Sequence, residues 1–231
     1  MIKTFKAMRD LKYRDFHAKL IPNIKKENII GVQTPKLRAY AKQMSPIQQE
    51  HFMNQVPHTY FEENQVHIFC IEQIKDFNQC IQAIDAFLPY VDNWATCDML
   101  RPKCLKKDLD RLYKMILIWI NSDHEYTIRF AIQLLMLYYL HGDISEILKV
   151  VANVHDSRYY VKMMQAWFYA TAMIDYMDEI ICCHQNHQIS DEIILMSIQK
   201  ALDSKRISVN QKALLRRYRT HIKPNLKVKL L

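Results

Sequence analysis

Only two glycines, Gly31 and Gly142, occur in the 231 residues. A sheet-rich chain of this length needs many tight turns with positive φ, and glycine is their usual supplier. Two glycines cannot serve such a fold. A P-loop and a dinucleotide-binding loop are excluded for the same reason, because each needs clustered glycines. What remains is a helical chain whose turns are made by other residues.

Apolar spacing points the same way. Leu109, Leu112, Ile116 and Ile120 recur at helical period, as do Ile128, Ile132, Leu135 and Tyr139. Short turn-like punctuation separates such segments at 31–35, Ser45-Pro46, Pro57-His58, Arg101-Pro102, 121–124, 141–143 and 155–157. Thr34, Ser45 and Ser157 are the expected N-caps of the helices that follow. The result is roughly a dozen helices with short connections. They are paced in pairs about every 35 to 40 residues, the period of HEAT-type arrays. The expected fold is all-α, an α-α superhelix of HEAT-like repeats with an extended concave face. An irregular helical bundle would show similar pacing. No Pro/Gly/Ser-rich linker divides the chain, so residues 1–231 read as a single HEAT-like domain.

The formal net charge of +8 suggests a polyanionic partner, most often nucleic acid. No long Lys/Arg run forms a basic tail, so any cationic surface must be assembled by folding. The six cysteines show no C-x-x-C pair, and most lie in apolar helical context, where a thiol behaves as a small hydrophobe. The N-terminus lacks the apolar core of a signal peptide. No apolar run approaches a membrane span. A reduced, cytoplasmic protein without membrane attachment is expected.

Three segments carry residues that helix packing does not require. In Val91-Asp92-Asn93-Trp94-Ala95-Thr96-Cys97-Asp98, Trp94 and Asp98 are four apart and would share one helix face. Asp92 or Asn93 can cap that helix, which must end before Pro102. Asp98 then sits near a helix C-terminus, where the macrodipole disfavours negative charge and a cationic partner is expected. Arg129 is the candidate partner. Trp167, on a later helix, supplies a second indole. The expectation is that these four side chains gather along one inner wall.

The ordered series Gly31-Val32-Gln33-Thr34-Pro35-Lys36-Leu37-Arg38, Asn93-Trp94-Ala95-Thr96-Cys97-Asp98, Thr127-Ile128-Arg129-Phe130-Ala131-Ile132 and Tyr159-Tyr160-Val161-Lys162-Met163-Met164-Gln165-Ala166-Trp167 resembles the AlkD-like DNA alkylation repair glycosylases. The resemblance spans most of the chain. It implies a HEAT-like superhelix with a concave basic face that binds DNA. It places the family's catalytic aspartate on Asp98, the tryptophan four residues before it on Trp94, its active-site arginine on Arg129 and its second cleft tryptophan on Trp167. Gln33, Thr34, Lys36 and Arg38 would lie near the DNA strand. One departure is visible: the family's paired arginines appear here as Ile128-Arg129, with one missing. The resemblance further implies removal of positively charged N3- or N7-alkylated purines from double-stranded DNA, without base flipping, by a monomer needing no metal or organic cofactor.

Further basic residues are candidates for phosphate contacts: Arg158 and Lys162 around the start of the Trp167 helix, and Arg216, Arg217 and Arg219 near the end, followed by Lys223, Lys227 and Lys229. Cys182-Cys183-His184-Gln185-Asn186-His187 superficially resembles a metal site, but adjacent cysteines diverge on a helix and no second ligand pair stands at zinc spacing. Cys97 or Cys104 could be drawn as a nucleophile, although nothing nearby fixes a base. Two other functional classes share the same features: a non-catalytic DNA-binding repeat protein for distorted or branched duplexes, and a protein–protein scaffold.

Overall fold

The computed structural model describes residues 1–228, except the side chains of 223–228. Among these residues there are fourteen α-helices, three short 3-10 turns and no strand. The helices are α1 (Ile2–Ala7), α2 (Leu11–Leu20), α3 (Thr34–Gln43), α4 (Pro46–Met53), α5 (Phe61–Ile71), α6 (Phe77–Phe87), α7 (Trp94–Met99), α8 (Leu109–Trp119), α9 (Glu125–Tyr138), α10 (Ser145–Ala152), α11 (Tyr159–Ala172), α12 (Met177–Gln185), α13 (Asp191–Asp203) and α14 (Val209–Val228). The all-α expectation holds. No helix of the described residues is long and apolar enough to cross a membrane.

The chain forms two compact units, residues 1–114 and 115–231, divided inside α8. In the first, α5 is the hub and packs on α3, α4, α6 and α7. Its residues are buried except Glu63, so this helix has no solvent face to pattern. In the second unit α11 is the hub, contacting α9, α12 and α13, while α13 also packs on α14. Alternate helices therefore lie against one another, α3–α5–α7 in one unit and α9–α11–α13 in the other. That layering is how stacked helix pairs bury a continuous core. Trp119 is buried there, as its apolar neighbourhood predicts.

Two expected caps shift by one residue. Ser45 caps α4 with a reciprocal box to Gln48. Thr34, by contrast, is the first residue of α3, and Gln33 is the N-cap. The Thr34 hydroxyl instead lies 3.3 Å from the Tyr13 hydroxyl. Ser157 is likewise displaced by Arg158 as the N-cap of α11, because the Asp156 carboxylate takes the Arg158 amide at 2.8 Å.

Candidate active site

Helix α7 is built by its own cap. Asn93 Oδ1 accepts from the Thr96 amide at 2.8 Å. The Thr96 hydroxyl then receives Asn93 Nδ2 at 3.0 Å and Gln65 Nε2, from α5, at 2.8 Å. All three side chains are buried, so this polar knot fixes the rotation of a helix only six residues long. Trp94 and Asp98 share one face of it. The Trp94 indole N–H donates to the Leu20 carbonyl at 2.9 Å, and its ring packs against Ile21, Ile29, Phe61 and Ala95. Asp98 is 8% exposed.

The end of α7 is held by a residue the sequence reading passed over. Arg101 Nε donates to the Asp98 carbonyl at 2.9 Å, satisfying one of the last carbonyls of the helix with a cation, the favourable sign there. The Arg101 amide donates to Glu72 Oε1 at 3.1 Å. Glu72 Oε2 pairs with the Arg38 guanidinium, which also lies 4.0 Å above the Phe69 ring. Arg38 is thereby joined to the Asp98 segment through one carboxylate.

The 31–38 segment is anchored by Glu62, also unforeseen. Its carboxylate is 1% exposed and accepts three successive backbone N–H groups: Ile30 at 2.9 Å, Gly31 at 2.6 Å and Val32 at 3.2 Å. Gly31 adopts φ +95, and an added Cβ would lie 2.4 Å from the Asp10 carbonyl and 2.7 Å from Arg14 Cβ. Only glycine fits. Beyond this anchor, Gln33 and Lys36 are exposed.

Arg129 and Trp167 belong to the second unit. Arg129 lies on α9, whose residues 126–136 are all buried. It is therefore enclosed, at 5% exposure. Its Nη1 donates to the Tyr160 carbonyl at 2.7 Å, gripping the first turn of α11. Tyr160 and Trp167 are seven apart, close to two helical turns, so both lie on one side of α11. Trp167 is 36% exposed and lines a cavity of about 380 Å³ with Thr171, Lys200, Asp203 and Arg206.

The proposed phosphate contacts differ in their surroundings. Arg158 is clamped by Asp156, with Nε 3.0 Å from both carboxylate oxygens, and donates to the Asp123 carbonyl at 2.7 Å. The Asp156 hydrogen bond raises the Arg158 pKa and lowers its own. Lys162 lies within α11 and pairs with Glu192 at 2.7 Å. Arg216 and Arg217 are exposed on α14, and Arg219 bonds the Gln199 side chain at 2.9 Å. Nothing is described of the Lys223 and Lys227 side chains, and Lys229 lies outside the described residues.

The competing sites acquire structural roles. His184 bonds the Tyr218 hydroxyl at 2.7 Å and Asp191 at 3.0 Å, using both ring nitrogens. Cys97 and Cys104 are buried, and burial pushes up the thiol of Cys80, which is hydrogen-bonded to Cys104. Burial keeps Cys97 and Cys104 from presenting an accessible nucleophile.

A helical-repeat protein with a buried carboxylate and an indole on one short helix, in a basic chain, is thus defined. Among protein families, that of the DNA alkylation repair enzymes matches residues 1–173, and the chain belongs to it. The matched region contains Trp94, Asp98, Arg129 and Trp167. No curated protein and no solved structure matches the chain.

Proposed function

We propose that the protein is a monofunctional DNA glycosylase that removes positively charged N3- or N7-alkylated purines from duplex DNA. The observation that carries this reading is the rigidly capped α7, which presents Asp98 beside Trp94 within the family-matched region. An alkylated purine is already cationic. When its bond to C1′ breaks, the electron pair leaves with the base and neutralises it, so no general acid is needed. The positive charge passes to the deoxyribose as an oxocarbenium-like centre. Asp98 stabilises that centre and orients a water, whose oxygen forms the new bond to C1′ while its proton departs to the carboxylate or solvent. The products are a neutral alkylpurine and an abasic site. At about 4 Å and an effective dielectric near 20, opposite unit charges attract by about 4 kcal/mol. Realised in the transition state alone, this would accelerate the step roughly a thousandfold.

Trp94 and Trp167 would meet the electron-poor nucleotide through cation–π contact, and Arg129 would orient the acid or hold a flanking phosphate. Gln33, Thr34, Lys36 and Arg38 in the first unit, with Arg158, Lys162, Arg216 and Arg217 in the second, are proposed to follow the DNA backbone. Arg38, Arg158 and Lys162 already face carboxylates, so their share is the smaller. Recognition would rest on lesion charge and backbone shape, with the base left in the duplex.

The test is release of 7-methylguanine and 3-methyladenine from methylated duplex. Wild-type protein should release both, and Asp98→Asn should abolish release while retaining DNA binding. Salt-sensitive binding without release in wild type would instead mean a non-catalytic DNA-binding protein. Absence of DNA affinity at low salt would leave a protein–protein scaffold.

A further inference from the structure

Arg101 is a cation whose recognition edge is unused. Its Nε is committed to the Asp98 carbonyl, which fixes the plane of the guanidinium, yet the side chain is exposed. Its Nη1 and Nη2 meet no acceptor among the described residues. The nearby carboxylate does not neutralise it: Glu72 spends one oxygen on the Arg101 amide and the other on the Arg38 guanidinium. Neither Glu72 oxygen is therefore left for the Arg101 guanidinium. Arg38 is further occupied by the Phe69 ring, so Arg101 is the group free to bind. A guanidinium with a fixed plane and two open NH2 groups suits the paired oxygens of a phosphate.

We infer that Arg101 grips a phosphodiester of the strand bearing the damaged nucleotide, directly beside the sugar that Asp98 serves. This rests on the glycosylase reading above. The hydrogen bond to the Asp98 carbonyl then ties strand position to acid position: the group that holds the phosphate also holds the last turn of α7. Arg38 fixes Glu72, whose other oxygen holds the Arg101 backbone amide.

The test uses the full chain and a short duplex with one stable tetrahydrofuran abasic analogue, in which phosphates near that site are replaced singly by neutral methylphosphonates. Wild type should lose about tenfold in affinity when one flanking phosphate is neutralised. Arg101→Gln should bind the unmodified duplex about tenfold more weakly, a loss equivalent to about 1.4 kcal/mol. It should ignore that same methylphosphonate, and its salt dependence should fall by about one phosphate. Arg101→Lys, which keeps the charge, should retain the salt slope. An unchanged slope and methylphosphonate profile in Arg101→Gln would overturn the assignment while leaving the glycosylase reading standing. Should Arg101→Gln not fold, a wild-type scan with no sensitive flanking phosphate would overturn it equally. Wild-type protein that releases no base and binds no duplex would defeat both.

Discussion

Glu62 illustrates how much a single buried side chain can organise. Three backbone donors converge on a carboxylate with almost no solvent access, and the loop they belong to leads into Gln33, Thr34 and Arg38. Glu62→Gln keeps the shape but turns an amide N–H₂ toward N–H donors, leaving buried groups unpaired. A loss of about 3 kcal/mol in urea unfolding is expected; a loss below about 1 kcal/mol would mean the loop holds itself. His67 gives a pH signature. It shares a 2.8 Å hydrogen bond with His58 and stacks on Phe87 at 3.8 Å. Burial, with the neighbouring His58, lowers its pKa to about 3. The unfolded chain takes up that proton near pH 6.5 and the folded chain only near 3, so stability is full above pH 6.5 and declines as pH falls between those values. At pH 5 the loss is about 2 kcal/mol. Thermal melts at pH 7 and pH 5 check it, and His67→Phe should shrink the difference, the remainder lying with His17 and His58, whose pKa values burial also lowers.

At the scale of elements, α7 shows what a short helix needs. Six residues supply too few internal hydrogen bonds to persist alone, so the Asn93 cap, the Gln65–Thr96 bond and the Arg101 contact define it. Asn93→Ala should cost about 1 to 2 kcal/mol. It should reduce base release more than it reduces nonspecific DNA binding; equal losses would deny α7 a positioning role. Much of this element was legible beforehand, because an Asx residue before Trp94 and a proline at 102 bracket it. Arg101 could have been found by the same logic, as a cation just past a helix end that carries a carboxylate. Thr34 meets Tyr13, 21 residues away, a contact that local sequence does not reveal, whereas Asp156, beside Ser157, takes the Arg158 amide from within the same turn. Helix α9 was read from four apolar positions, but residues 126–136 are all buried. A helix covered on every side has no amphipathic stripe to report its environment.

For the molecule as a whole, net charge of +8 is the property with the plainest consequence. DNA affinity should fall steeply with salt, since each phosphate neutralised releases counterions. Arg216 and Arg217, exposed on α14, lie beyond the family-matched 1–173. Replacing both with Gln should lower the salt slope by about two phosphates; an unchanged slope would remove α14 from the DNA contact surface. The same comparison with Arg158→Gln and Lys162→Gln should give smaller changes, because Asp156 and Glu192 already face those cations.

Scarce glycine, apolar spacing near 3.6 residues and frequent short turns were enough to determine an all-α chain, since these express local backbone preferences and one-dimensional periodicity. The residue series along the chain was enough to place the chain in its family, whose matched span includes Trp94, Asp98, Arg129 and Trp167. Which polar groups support them was decided by tertiary structure alone. Glu62 reaches backbone thirty residues away, Glu72 joins Arg38 to Arg101, and Arg129 grips the carbonyl of Tyr160. A buried polar atom takes whatever partner packing brings within about 3 Å, and separation along the chain carries no record of that distance.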